Sequence, residues 1–154
     1  MIAEFAKQEF IKVNAAASSW EDAIRQSGEL LLSNDCIEPR YIDRMVAMVE
    51  EEGPYMVIAP GVALAHARPD DGVKKIGLAF LTLKEPVEFG NPDNDPVRLV
   101  LALSAVDNTS HLKVIGEMAE LLIDEAAMEK LYACRDEAEM AGYLAGFEGS
   151  GEMI

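Results

Sequence analysis

A chain of 154 residues, half of them apolar and 27% charged, has the length and composition of one domain built around one core. Its formal charge of −15 at pH 7 repels nucleic acid and anionic membranes, which reward clustered Lys and Arg, and favours a basic protein partner. Acidic helix faces that merely keep a protein soluble would give the same total. The first ten residues carry Glu4, Lys7 and Glu9 and lack the apolar stretch of a secretory signal. No run approaches the roughly 20 apolar residues that cross a bilayer, so a soluble, cytoplasmic protein is expected. Cys36 and Cys134 have no CxxC or metal-type spacing and fit reduced thiols in that compartment.

The elements follow in chain order. Phe10–Ala15 alternates apolar and polar residues as a half-buried strand does. Ser18 and Ser19 offer helix caps, with Glu21 and Asp22 three residues after each. Trp20, Ala23, Ile24 and Leu31 fall at helical intervals, which predicts a helix over about 19–33 ended by Asn34 and Asp35. Pro39 suits the first turn of a second helix, whose stripe of Ile42, Met45, Val46 and Val49 stops at Gly53–Pro54. The acidic triplet Glu50–Glu52 reads as a solvated helix end.

Three apolar segments come next, Tyr55 to Ala59, Ile76 to Leu83 and Val97 to Val106, as in strands covered on both faces. Lys84 to Pro96 is a polar, Pro- and Gly-containing connection with room for an edge hairpin. Asp107 to Ser110 supplies caps for a helix reaching about residue 123, with Leu112, Ile115, Ala119 and Leu122 on its buried face. Shorter helices are expected near 126–133 and 136–145, and the Gly-rich end reads as a frayed tail. Nothing repeats and no linker divides the chain. The order implies a mixed sheet with helices on both faces, in one domain.

The chemistry to look for is bounded first by what is missing. There is no GxxxxGK loop, no GxGxxG fingerprint and no HExxH pair. Two histidines make too thin a metal site even if Asp70, Asp71 or Asp107 added oxygen ligands, so no metal is expected. His66, one of only two histidines, stands where an apolar run breaks into a loop bracketed by Pro60, Gly61 and Pro69. Imidazole is the side chain best suited to accept and release a group near neutral pH. On this segment alone, a histidine capping a turn is the plainer reading.

His111 shifts the balance, because it falls in the first turn of a predicted helix, where unpaired N–H groups and the dipole favour an anion. The two histidines read as halves of one site, His66 carrying phosphorus and His111 holding phosphate oxygens. A solvent-facing residue at a helix start is the alternative for His111. Arg68, two residues from His66 on an extended segment, and Ser110 are the candidates for further phosphate contacts. Lys74 and Lys75 read as solvated residues ahead of a strand.

The order of these segments resembles the mannitol/fructose class of enzyme IIA, domains of the bacterial sugar phosphotransferase system. Gly53–Pro54–Tyr55, Ala59–Pro60–Gly61 and His66–Ala67–Arg68–Pro69 are most similar to the ascorbate-type branch. So are Gly72–Val73–Lys74–Lys75, Asp93–Asn94–Asp95–Pro96–Val97 and Ala105–Val106–Asp107. The similarity covers roughly residues 10–145. It implies an α/β fold with a mixed, mostly parallel sheet of about five strands, helices on both faces, and a single domain. The expected bounds are an enzyme IIA domain over 1–146 and a flexible tail over 147–154.

The resemblance also implies a phosphoryl carrier. His66 matches the histidine that takes phosphate from the histidine phosphocarrier protein and passes it to a cysteine of enzyme IIB. A membrane permease, enzyme IIC, then depends on it indirectly. His111 matches the family's second histidine. No cofactor and no nucleic acid partner are implied, ascorbate as the sugar rests on the resemblance alone, and Met-containing helix faces are compatible with a homodimer. Two departures stand out: Ala65 precedes His66 where the family often has proline, and Met48 occupies the place of an arginine functional in the mannitol branch. Arg68 or backbone amides are left to balance phosphate charge. The rival readings are a regulatory binding module of the same fold that passes no phosphate to a sugar, and a small-molecule binding domain with two incidental histidines.

Overall fold

A computed structural model describes residues 2–107, 109 and 112–147 of the chain. Strands β1 (Ile11–Ala15), β2 (Val57–Ala59), β3 (Val62–Ala65), β4 (Gly77–Val87) and β5 (Val97–Ser104) form one sheet in the order β1-β4-β5-β3-β2. Ladders β1–β4 and β3–β5 are parallel, whereas β4–β5 and β2–β3 are antiparallel. The mixed five-stranded sheet is the expected one, although its pairings divide evenly rather than running mostly parallel. Leu78, Phe80 and Thr82 alternate with Ala79, Leu81 and Leu83 across the two faces of β4, and all six are buried. Both faces of the sheet centre are therefore covered.

Helix α1 (Trp20–Ser33) packs over β4 and β5, and α2 (Pro39–Glu52) packs against α1. The first of these begins where the sequence places a cap. The Ser19 hydroxyl accepts from the Asp22 N–H at 3.1 Å, and the Asp22 carboxylate reaches back to the Ser18 N–H at 2.9 Å. Close approach of the two helices depends on Gly28, where a Cβ would stand 2.8 Å from Ile42 Cγ1. Helices α3 (Leu112–Ile123), α4 (Glu125–Ala133) and α5 (Glu137–Ala145) follow β5, close to their expected bounds. Asp124 and Asp136 cap α4 and α5 through the N–H groups of Ala127 and Glu139.

Three features differ from the sequence reading. Residues 62–65 form a strand of their own, paired back on β2 through a turn at Gly61, whose φ is +75°. Four unbroken apolar residues carry no alternation, so the Pro60–Gly61 pair reads as loop punctuation when it is the turn of a hairpin. The 84–96 connection makes no separate edge hairpin. Strand β4 runs on to Val87, and the loop closes on the Asp95 carboxylate, which accepts from the N–H groups of Phe89, Gly90 and Asn91 at 3.0, 2.8 and 2.9 Å. Finally, a 3-10 turn at Ile2–Phe5 packs on α3, α5 and β4 with Ile2 and Phe5 buried, where no element was expected. The expected tail beyond residue 147 lies outside the described residues.

Candidate active site

Strands β3 and β5 run parallel, and their ladder ends at Ala65↔Ala102. Past that point the chains separate. His66 to Pro69 lead into a 3-10 turn at Pro69–Asp71, while β5 ends and passes through Ala105 to Asp107. The gap between the two strand ends is a cleft of about 190 Å³, lined by His66, Ala67 and Arg68 on one side and Leu103, Ala105 and Asp107 on the other. Crevices outside the carboxyl ends of parallel strands are where open α/β sheets place their ligands.

The half-buried imidazole of His66 is held at two points. Its Nδ1 lies 2.9 Å from the Leu64 carbonyl oxygen. A carbonyl only accepts, so Nδ1 carries the proton and Nε2 keeps its lone pair. The Tyr55 ring meets the imidazole edge to face, with centroids 5.7 Å apart and planes at 88°. Tyr55 is itself 40% exposed, and its hydroxyl reaches Met48 Sδ at 3.8 Å. Met48 is buried, so the residue in the arginine's place packs beneath this tyrosine.

Arg68 is exposed at the rim of the cleft. Among the described residues its guanidinium forms no ion pair, because the neighbouring Asp71 carboxylate lies 3.5 Å from Arg44 Nε and accepts from the Arg68 N–H at 3.0 Å. The loop is also clamped to the start of α2. The Glu38 N–H donates to the Gly72 carbonyl at 2.8 Å, and an Arg40 Nη donates to the Asp70 carbonyl at 3.0 Å. Lys74 pairs with Asp35, away from the cleft, in keeping with its reading as a solvated residue.

One buried residue at the site has no counterpart in the sequence reading. Tyr41 in the first turn of α2 is fully buried, its hydroxyl donating to the Leu103 carbonyl at 2.8 Å and accepting from the Ala67 N–H at 2.9 Å. Burial pushes its phenol up to about 12. The available signal was a polar-tipped aromatic beside the Ile42, Met45, Val46, Val49 stripe, which needs a partner once buried.

His111 and Ser110, the other predicted site residues, lie outside the described residues. Asp107, Thr109 and the start of α3 are the described residues nearby. The Thr109 N–H and hydroxyl reach Asp107 Oδ1 at 2.9 and 3.2 Å, and the Leu112 N–H donates to the Thr109 carbonyl at 3.1 Å. Among the described residues no group of three or more His, Cys, Asp or Glu side chains is placed to hold a metal ion, and no helix is long and apolar enough to cross a membrane. Cys36 and Cys134 are free, buried thiols.

Residues 4–146 match the family model for the phosphoenolpyruvate-dependent sugar phosphotransferase system, EIIA 2. The chain belongs to this EIIA family. It is a phosphotransferase component of a sugar uptake system. Over 136 residues it is 43% identical to the ascorbate-specific PTS system EIIA component of Shigella boydii serotype 4 (strain Sb227), a match spanning 88% of each chain. Among solved structures, the mannitol-specific cryptic phosphotransferase enzyme IIA CmtB from Escherichia coli superposes with a TM-score of 0.84 at 34% identity, covering 94% of this chain and 97% of that one. Enzyme IIA of the E. coli mannitol system, solved in complex with phosphorylated enzyme IIB, gives 0.76 at 30% identity over 90% and 96% of the two chains.

Proposed function

We propose that this EIIA carries a phosphoryl group on His66 Nε2, taken from the phosphohistidine of the histidine phosphocarrier protein and passed to a cysteine of an enzyme IIB. The observation that carries the reading is the Nδ1 contact to the Leu64 carbonyl, which leaves Nε2 as the nucleophile of a histidine lining an open cleft. In the first step, Nε2 attacks the donor's phosphorus in line. The Nε2–P bond forms as the donor N–P bond breaks, and the donor imidazole leaves with the electron pair. Because Nδ1 keeps its proton, hydrogen-bonded to the Leu64 carbonyl, the phosphorylated ring is cationic. In the second step a cysteine thiolate attacks that phosphorus, and His66 departs as a neutral imidazole.

The approach of a protein donor and acceptor fits the surroundings. Tyr55, edge-on to the His66 ring, and Val106, between the cleft-lining Ala105 and Asp107 in the chain, are 40% and 47% exposed, apolar surface of the sort used at protein interfaces. The assembly of an enzyme IIA with phosphorylated enzyme IIB in a related structure supports an enzyme IIB as the acceptor. Ascorbate as the transported sugar, with a membrane permease downstream, is supported by the identity to ascorbate-specific relatives. Arg68 balances phosphate charge at the rim, and His111 and Ser110, adjacent in sequence to the start of α3, supply further oxygen contacts. The domain spans 1–146, and the protein works in the cytoplasm.

Incubation with phosphoenolpyruvate, enzyme I and the phosphocarrier, followed by mass measurement and site mapping, tests the reading. One phosphoryl group on His66, chased onto enzyme IIB and abolished in His66→Ala, is the expected result. Phosphate mapped to another residue, or retained in full by the alanine variant, overturns it.

A further inference from the structure

We propose that Tyr41 is a positioning residue for phosphoryl transfer, its hydroxyl wedged into the last rung of the β3–β5 ladder beside His66. This rests on His66 being the phosphoryl acceptor. The ladder pairs Val62↔Leu99, Ala63↔Val100, Leu64↔Leu101 and Ala65↔Ala102, and the Leu99 N–H donates to the Gly61 carbonyl at its start. In a parallel pair the bonds recur at every second residue. Continued in register, the next rung would run from the Ala67 N–H straight to the Leu103 carbonyl. Instead the Tyr41 hydroxyl accepts from the first at 2.9 Å and donates to the second at 2.8 Å. The Ala67 carbonyl also lies 3.3 Å from the phenol oxygen, but a hydroxyl has one proton and Leu103 is nearer.

A phenol oxygen inserted into a rung holds the strand ends apart while satisfying both backbone groups, Leu103 being buried and Ala67 half-buried. Two consequences follow for the site. The separation opens into the cleft, which Tyr41, Ala67 and Leu103 all line. The backbone on which His66 sits is also fixed one residue beyond the imidazole, while Nδ1 is fixed two residues before it, at Leu64. The ring is thereby pinned between two anchors, and only Nε2 is left to the cleft. Tyr41 comes from α2 and itself lines the cleft.

Tyr41→Phe removes the oxygen and keeps the ring. The expected result is a fall of about tenfold or more in the phosphorylation rate constant at saturating phosphocarrier, as small displacements of a nucleophile produce, with the KM for the carrier unchanged. The imidazole ¹⁵N resonances should shift as the Nδ1–H tautomer loses its hold. Ile24→Val, a methyl deletion in the α1 core, serves as the control. It lowers thermal stability and should leave rate and ring signals at wild type. A Tyr41→Phe protein with the wild-type saturating rate, or with a slower rate and unchanged ring signals, overturns the proposal. If Tyr41→Phe does not fold, the wild-type Ala67 amide decides. Solvent exchange as slow as in the β3–β5 ladder supports the wedge, and exchange at the rate of exposed loops overturns it. A wild-type protein phosphorylated elsewhere refutes the acceptor assignment separately, and the ring and amide measurements still judge Tyr41.

Discussion

Tyr55 stands edge-on to the His66 imidazole at 5.7 Å between centroids, joining the segment after α2 to the loop that lines the cleft. The contact covers one side of the ring while Tyr55 keeps much of its own surface in solvent. Aromatic pairs of this geometry contribute about 0.5–1.5 kcal/mol beyond area burial. Tyr55→Ala is expected to lower kcat/KM for transfer to enzyme IIB by about twofold to tenfold, in line with that energy, and Tyr55→Phe to stay near wild type. Steady-state transfer assays measure both, and an unchanged alanine variant would remove Tyr55 from the site.

Arg68 presents its charge at the cleft without a carboxylate partner among the described residues, since Asp71 is held by Arg44 and the Arg68 N–H. Arg68→Ala should slow phosphate acceptance by roughly tenfold at low salt, the scale of one charge-assisted contact. Arg68→Lys should recover part of the rate, because it restores the charge but not the planar fork. The deficit should shrink as ionic strength rises and screening takes over at this exposed position. A salt-independent deficit in rapid-mixing phosphorylation assays would assign Arg68 a structural part instead.

The buried Tyr41 phenol gives the fold an alkaline limit. Burial raises it from 10.0 to about 12, so the neutral form is favoured on folding. A group raised in the folded state contributes stability in full below its unfolded value and loses it as pH climbs through the folded one. The contribution at neutral pH is on the order of 2–3 kcal/mol and fades between pH 10 and about 12. Unfolding free energies of Tyr41→Phe across that window should fall less steeply than those of wild type. Equal slopes in denaturant titrations would contradict the assignment.

Much of the fold was legible because its signals are local. The Ser19 cap and the Pro39 start act within one helical turn, and the apolar runs of β4 and β5 announce strands buried on both faces. The 62–65 strand was hidden because four buried residues have no period to read, and its identity depends on β5 lying alongside. His66 was legible as a candidate from its rarity, its bracketing Pro and Gly residues and the family motif around it. Tyr41 was not, since nothing near residue 41 in the chain says that Ala67 and Leu103 will converge on its hydroxyl.

The order of residues by itself determined the helices, the Ser19 cap, the apolar strands and the resemblance to the phosphotransferase family that made His66 the candidate. These depend on side-chain periodicity and on hydrogen bonds between near neighbours, which need no knowledge of the rest of the molecule. Tertiary structure alone decided which nitrogen of His66 is free, how wide the cleft stands and what holds its sides apart. Those depend on a carbonyl, an amide and a phenol brought together from three separate elements, and only the completed sheet and its covering helix set their distances.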